Sequence, residues 1–201
     1  MSKHSRMHPF FSLAQERIDE MDAVLGLLQS KANDALAASR ATRDQFIAGL
    51  KQQRAKVAEL VSALKEHPEE TLDNAEAQLD SHWAAFEAQI KSYMEAAGKL
   101  AKQEQAMFRG MAAAQTRAWH EAVEKLRERA RESAAEKRPA IDATVERMKA
   151  GADDAEAKLR KFKAAGAESW AAYSAALTES RKAFFRANET AWKSLRQAAN
   201  R

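Results

Sequence analysis

Apolar residues recur at alternating intervals of four and three along most of this chain. The spacing is most regular between residues 141 and 177. A repeat of 3.5 residues places one apolar seam along a helix, and that seam needs a partner helix to cover it. No window shows the period-two alternation of a β-strand. The sequence therefore predicts an all-α protein.

The same spacing runs through the middle and the first parts of the chain, but each time it slips by one position. The slips fall between residues 100 and 108 and between residues 35 and 46. Such stutters locally unwind a coiled coil. The residues predicted to form the core or an oligomer seam are Trp83, Phe86, Ile90, Trp119, Ile141, Val145, Met148, Leu159, Phe162, Tyr173 and Leu177.

Prolines 9, 68 and 139 divide the chain into a head and three segments of similar length. We predict a flexible head over 1–9 and a single elongated helical domain over 10–201, with helices at about 10–66, 69–137 and 140–199. In "KEHPEETLD", Pro68 marks either a turn between two helices or a kink in one. Because acidic residues follow the proline, where a helix N-terminus favours them, a tight turn between antiparallel helices is preferred.

A long helix with an apolar seam must bury that seam in its own chain or in a second copy. We therefore predict an elongated antiparallel coiled-coil bundle of three helices that forms a homo-oligomer, with a dimer as the first choice. The chain has 201 residues and no cysteine, which excludes disulfides and thiolate metal sites and favours a reducing, cytoplasmic compartment. No stretch approaches the roughly 18 apolar residues of a membrane span, and no export signal is evident.

The sequence carries no pattern typical of an enzyme. A bundle metal site would need Glu-x-x-His pairs, but Leu64, Leu79 and Arg117 stand three residues before the internal histidines. The six glycines are scattered singly, so no phosphate-binding loop is present. We predict a non-enzymatic protein with no cofactor and no metal site.

Basic and aromatic residues near the C-terminus suggest a second contact surface. Apolar burial together with attraction to anionic lipid drives peripheral binding. An anionic membrane or granule surface would be contacted by Trp170, Arg181, Lys182, Phe185, Arg186, Trp192, Lys193 and Arg196. Nucleic acid is not predicted as a partner, because no one-signed basic face carries base-stacking aromatics.

Residues 155–195, "AEAKLRKFKAAGAESWAAYSAALTESRKAFFRANETAWKSL", resemble the end of a family of small bacterial coiled-coil stress-response proteins. Gly166, Trp170 and Trp192 match that family's pattern, which implies a stress-related role in a bacterial cytoplasm. The alanine content, size and lack of cysteine also resemble phasins, the coat proteins of polyester granules. Three long helices with basic clusters resemble membrane-curving BAR domains. The sequence thus predicts a structural or scaffolding protein, with a membrane or granule coat as the alternative.

Overall fold

The computed structural model describes six α-helices. They are α1 (His4–Ser30), α2 (Ala37–Glu66), α3 (Pro68–Ala97), α4 (Ala101–Arg131), α5 (Arg138–Ala164) and α6 (Trp170–Ala199). Within these ranges, the side chains of 4–6, 37–42, 68–71, 73, 96–97, 101–103, 129–130, 138, 140, 162–164, 196 and 198–199 are not described. Every residue in the six ranges is helical, which confirms the predicted all-α class. None of these helices is long and apolar enough to cross a membrane.

The prediction of three long helices was wrong, because each predicted segment contains two. The helices are 27 to 31 residues long, or about 40–47 Å at 1.5 Å per residue. The described helices α1 and α3 end at Ser30 and Ala97, close to where the slips in the apolar spacing begin.

Part of the predicted head, from His4 onward, is helical, and its flexibility stays a prediction. Helix α1 begins at His4 and continues through Pro9. Proline removes one backbone hydrogen bond from a helix interior, so another source of stability must offset that loss. Phe10 and Ala14 are fully buried directly after the proline. Packing of this apolar face therefore holds the first turns in place.

Successive helices alternate in direction. On α1, Glu20 meets Gln115 of α4 and Arg181 of α6, so α1 lies close to both helices. His8, which precedes Glu20 on α1, stacks on Trp192, which follows Arg181 on α6. The two helices are therefore antiparallel. Phe108 and Trp119 of α4 contact Tyr173 and Phe184 of α6 in the same order, so α4 and α6 are parallel. The six described helices therefore form an up-and-down bundle.

The helices before and after Pro68 run antiparallel. Phe46 of α2 contacts Tyr93 of α3, with ring centroids 5.2 Å apart. Further along α2, Gln53 lies 3.2 Å from Nδ1 of His82, which comes earlier in α3. This reversed order is that of two helices joined by a turn, the arrangement preferred from the sequence, and not that of one kinked helix.

Two apolar clusters make up the core. The larger joins α1, α2 and α3 to parts of the other helices, and the smaller joins α4, α5 and α6. The predicted seam residues are buried in these clusters, except that Phe162 lies outside the described side chains. Because the seams are covered within one chain, their burial does not require a second copy.

Asn188 is a polar residue fully buried in α6. Neither its amide nitrogen nor its oxygen has a hydrogen-bond partner among the described residues. Leaving such a group unpaired costs about 1–3 kcal/mol. We expect Asn188→Leu, which has a similar volume, to raise the free energy of unfolding by about that amount in urea titrations. Asn188→Asp should lower it, and a stability gain in the aspartate variant would contradict the structure.

Candidate functional site

An open groove separates α3 from α6 on one face of the bundle. Two cavities of about 720 and 520 Å³ lie along it, and Glu87 lines both. Met94 and Trp170 line one end, whereas Leu79 and Phe185 line the other. Phe10, Leu13 and Arg17 of α1 contribute to the second cavity from below. The groove therefore has walls of α3 and α6 and a floor that includes α1.

Arg181 of α6 lines the second of these cavities and is buried. Its Nε and Nη2 donate to the two carboxylate oxygens of Glu20, each at 3.1 Å. Its guanidinium carbon lies 4.2 Å from the centre of the Trp83 ring, and its Nη1 lies 3.6 Å from Glu87. Burial opposes the charged form of Arg181, but Glu20, Glu16 and Glu87 outweigh it and raise its pKa. One buried cation thus joins α1, α3 and α6.

A second arginine ties α1 to α3 beside this centre. Arg17 donates from Nη1 to the carbonyl oxygen of Leu79 at 3.0 Å and from Nη2 to Asp80 at 2.9 Å. Its guanidinium carbon lies 5.4 Å from the centre of the Trp83 ring. Burial and the nearby Arg181 charge lower the pKa of Arg17. The Trp83 ring therefore has two arginines close to it, each held by carboxylates.

Glu16 is the most perturbed acid of the network. It is buried, and as a carboxylate it has no hydrogen-bond partner among the described side chains. Arg181 lies 3.8 Å away, at salt-bridge distance. Burial and the adjacent Glu20 raise the pKa of Glu16 well above 4.5, against the opposing effect of the two arginines. Once protonated, Glu16 can donate a hydrogen bond to Glu20, which favours the protonated form further.

This shift makes a pH-dependent prediction for Glu16→Gln. The raised pKa means that the folded state binds the Glu16 proton more tightly than the unfolded state does. The free energy of unfolding of the wild type therefore decreases as the pH rises above 4.5. The variant cannot ionise there, so it should be the more stable protein at pH 7, by up to about 1.4 kcal/mol per pH unit of that window. Thermal melts from pH 4 to 8 should show the difference closing below 4.5. A wild type more stable than the variant at pH 7 would contradict this.

The two walls of the groove carry opposite charge. Helix α3 has seven Asp or Glu residues and one Lys, whereas α6 has five Lys or Arg and two Glu. Near the second cavity, Glu76 and Asp80 stand on the α3 side and Lys182 and Arg186 on the α6 side. The side chain of Asp80 is 72% exposed and that of Lys182 is 63% exposed. The face is therefore acidic along one edge and basic along the other.

The structure separates the residues predicted for surface contact. Lys182, Arg186 and Lys193 are exposed, and Trp170 and Phe185 are half-buried. Arg181 and Trp192 are buried instead, Arg181 against the carboxylates of α1 and Trp192 against the ring of His8. The side chain of Arg196 lies outside the described residues. The structure thus leaves a smaller basic and aromatic strip than the sequence predicts.

The sequence reasoning missed the acidic half of the network. Glu16 and Glu20 lie one helical turn apart in "ERIDE", among the apolar positions of α1. That spacing is equally typical of an exposed charged face. Gln115 of α4 also joins the network, since its Nε2 donates to Glu20 and to the carbonyl oxygen of Leu177, both at 3.1 Å. The signal available in the sequence was the position of Glu16 and Glu20 on the apolar side of α1.

No three His, Asp or Glu side chains among the described residues form a group that could hold a metal ion. No family model, no curated protein and no solved structure matches this chain.

Proposed function

We propose that this protein is a non-enzymatic, self-associating scaffold whose α3–α6 face dimerises with the same face of a second copy. The opposite charge of the two groove walls carries this proposal. In a dimer with its two-fold axis along the groove, α3 of one copy lies over α6 of the other, so each acidic edge meets a basic one. Such a face is complementary to itself, which a two-fold interface requires.

The groove also supplies the apolar surface that a specific interface needs at its centre. Phe185 lines one cavity and Trp170 lines the other, and both side chains are half-buried, so part of each ring is open to a partner. Aromatic residues and methionine are enriched at interface centres. The buried hydrogen bonds of Arg181 and Arg17 hold α3 and α6 in place before association. Less conformational entropy is then lost on binding.

Reversing the charge of one wall should dissociate the dimer. We expect Lys182→Glu with Arg186→Glu to place two acidic edges opposite each other and to raise the dissociation constant at least tenfold. The chain has a mass of 22.3 kDa, so light scattering at low salt should find twice that mass for the wild type and the single mass for the variant. A wild type of single mass at all concentrations tested would contradict the proposal.

A reciprocal variant provides the control. Glu76→Lys with Asp80→Lys reverses the other wall and should also give the single mass. Mixed together, the two variants place acidic edges against basic ones again, so they should form a heterodimer. Circular dichroism should show equal helix content in both. If neither variant dissociates, or if the mixture stays at the single mass while the wild type dimerises, the interface lies elsewhere.

A coat on an anionic membrane or granule is the second candidate. Exposed Lys182, Arg186 and Lys193 beside the half-buried Phe185 support it. Co-sedimentation with anionic vesicles tests it, and the Glu76→Lys, Asp80→Lys variant separates the candidates, since added positive charge should weaken the dimer but strengthen lipid binding. A stress-related role in a bacterial cytoplasm stays a prediction from the sequence.

A further inference from the structure

The buried polar network around Arg181 lies at the boundary between the two apolar clusters of the core. Along α4, the buried apolar residues belong to the larger cluster up to Met111 and to the smaller cluster from Ala118 onward. Along α6, the same change falls between Leu177 and Phe184. No buried residue of α1, α2 or α3 that the structure describes belongs to the smaller cluster. The first half of α1 and the second half of α6 therefore share no apolar cluster.

Polar and aromatic contacts hold these two half-helices together instead. Arg181 donates from α6 to Glu20 of α1, and the ring of His8 stacks on Trp192 with centroids 4.2 Å apart. Asn188 follows Arg181 by seven residues, which places it on the same side of α6, and it is fully buried without a hydrogen-bond partner among the described residues. An interface that shares little apolar surface loses little of it on opening. This contact can therefore open while both apolar clusters stay packed.

Glu16 is poorly accommodated in this interface as a carboxylate. Glu16 and Glu20 are 1% and 0% exposed, and they share Arg181, whose Nε and Nη2 both donate to Glu20. Neither oxygen of Glu16 has a hydrogen-bond partner in the described part of the chain, and neither is accessible to water. An ionised carboxylate buried in this way is costly. Its charge becomes well solvated only if α1 and α6 separate and water enters.

The charged groups that surround Glu16 belong to three helices. They are Arg17 and Glu20 on α1, Arg181 on α6 and, across Arg181, Glu87 on α3. Helix α4 presents the neutral Gln115, which donates to Glu20. Burial and Glu20 raise the pKa of Glu16 against the opposing effect of the two arginines. Because arginine side chains remain charged in proteins, Glu16 is the group whose ionisation alters the charge of this interface above pH 4.5.

We propose that ionisation of Glu16 opens the contact between the first half of α1 and the second half of α6, and that protonation of Glu16 closes it. The closed state binds the proton because the carboxyl group is buried, whereas in the open state Glu16 is a solvated glutamic acid that ionises near pH 4.5. The equilibrium constant for opening should therefore rise by up to tenfold for each pH unit above 4.5, until Glu16 is ionised in the closed state as well. The opening is a change within one chain and does not rest on the proposed dimer.

Distances between spin labels measure the opening directly by double electron–electron resonance. The protein has no cysteine, so labels attach only at introduced ones. Gln15→Cys with Lys193→Cys reports on the proposed opening, and Gln29→Cys with Ala175→Cys reports on the opposite end of the same two helices; all four positions are exposed. Labelled chains are diluted with unlabelled wild type, so that each distance lies within one chain. Between pH 5 and 8, the 15–193 pair should gain a longer second distance, whereas the 29–175 pair should keep one distribution.

Three variants assign the pH response to Glu16. Glu16→Gln cannot ionise, so its 15–193 pair should keep the short distance at every pH. Asp19→Asn removes another carboxylate of the same helix and should leave the wild-type response unchanged. His8→Phe should also leave it unchanged, which separates Glu16 from a histidine that meets α6 in the same interface and belongs to a residue type that titrates in this pH range.

The comparison of the two label pairs in the wild type decides the matter even if Glu16→Gln fails to fold. An unchanged 15–193 distance from pH 5 to 8, or an equal change in the 29–175 pair, would overturn the proposal. The same pH response in a folded Glu16→Gln protein, or its loss in His8→Phe, would overturn it as well.

Discussion

Arg181→Met is expected to lower the free energy of unfolding by about 3–5 kcal/mol at pH 7, because it leaves buried carboxylates without their cation. Glu20 loses a two-point hydrogen bond and Glu16 loses its nearest positive charge. Urea titration followed by circular dichroism measures the loss. Lys182→Met, at the exposed neighbouring position, is the control and should change stability by less than about 0.5 kcal/mol.

Acid and a compensating substitution should both reduce the effect of Arg181→Met. At pH 4 the raised pKa of Glu16 keeps this residue protonated, so fewer uncompensated charges are buried. The double variant Glu20→Met, Arg181→Met removes both partners and should be more stable than Arg181→Met alone, as a double-mutant cycle would show. An Arg181→Met protein that loses less than about 1 kcal/mol at pH 7 would contradict the network described here.

Trp83→Ala is expected to cost about 3–5 kcal/mol, a loss typical of removing a buried aromatic side chain. Trp83 is 4% exposed, lies 5.4 Å from Phe86 between ring centroids and contacts both arginines. Its removal takes away core packing and the aromatic surface on which the guanidinium groups lie.

Trp83→Phe is the matched control, since it keeps an aromatic ring and loses only part of the volume. It should cost less than half as much in the same urea titration. A Trp83→Ala protein as stable as Trp83→Phe would show that the groove floor is not packed as described. The indole nitrogen of Trp83 has no hydrogen-bond partner among the described residues, so neither substitution removes a hydrogen bond of this nitrogen.

The periodicity of the sequence was a good guide to the core but a poor one to helix length. Ile141, Val145 and Met148 were predicted from their spacing and are all buried. The same spacing continues from α5 into α6, because two separate helices can each carry an apolar seam in the same phase. The slips near residues 31–36 and 98–100 were read as stutters, although they also fit helix ends. Periodicity reports which face is apolar, not where a helix stops.

The candidate site was only partly predictable for a different reason. Arg181 and Lys182 are adjacent basic residues, yet one is buried and the other exposed. Their separation depends on α1 presenting Glu16 and Glu20 to the same point, and such a meeting of residues about 160 positions apart has no local signal. By contrast, the opposite charge of α3 and α6 was readable from the sequence. What the fold adds is that these two helices border one groove.

Cross-linking between single-cysteine chains tests the central claim of self-association most directly. The protein has no cysteine, and Asp80 and Arg186 line the same cavity from opposite walls. In the proposed dimer, position 80 of one copy lies over position 186 of the other. Under mild oxidation, a mixture of Asp80→Cys and Arg186→Cys chains should give a disulfide-linked pair in high yield, and low yield is expected when Asp80→Cys is mixed with Lys149→Cys, an exposed position on α5. Equal yields in the two mixtures, or no linked pair in either, would contradict the α3–α6 interface.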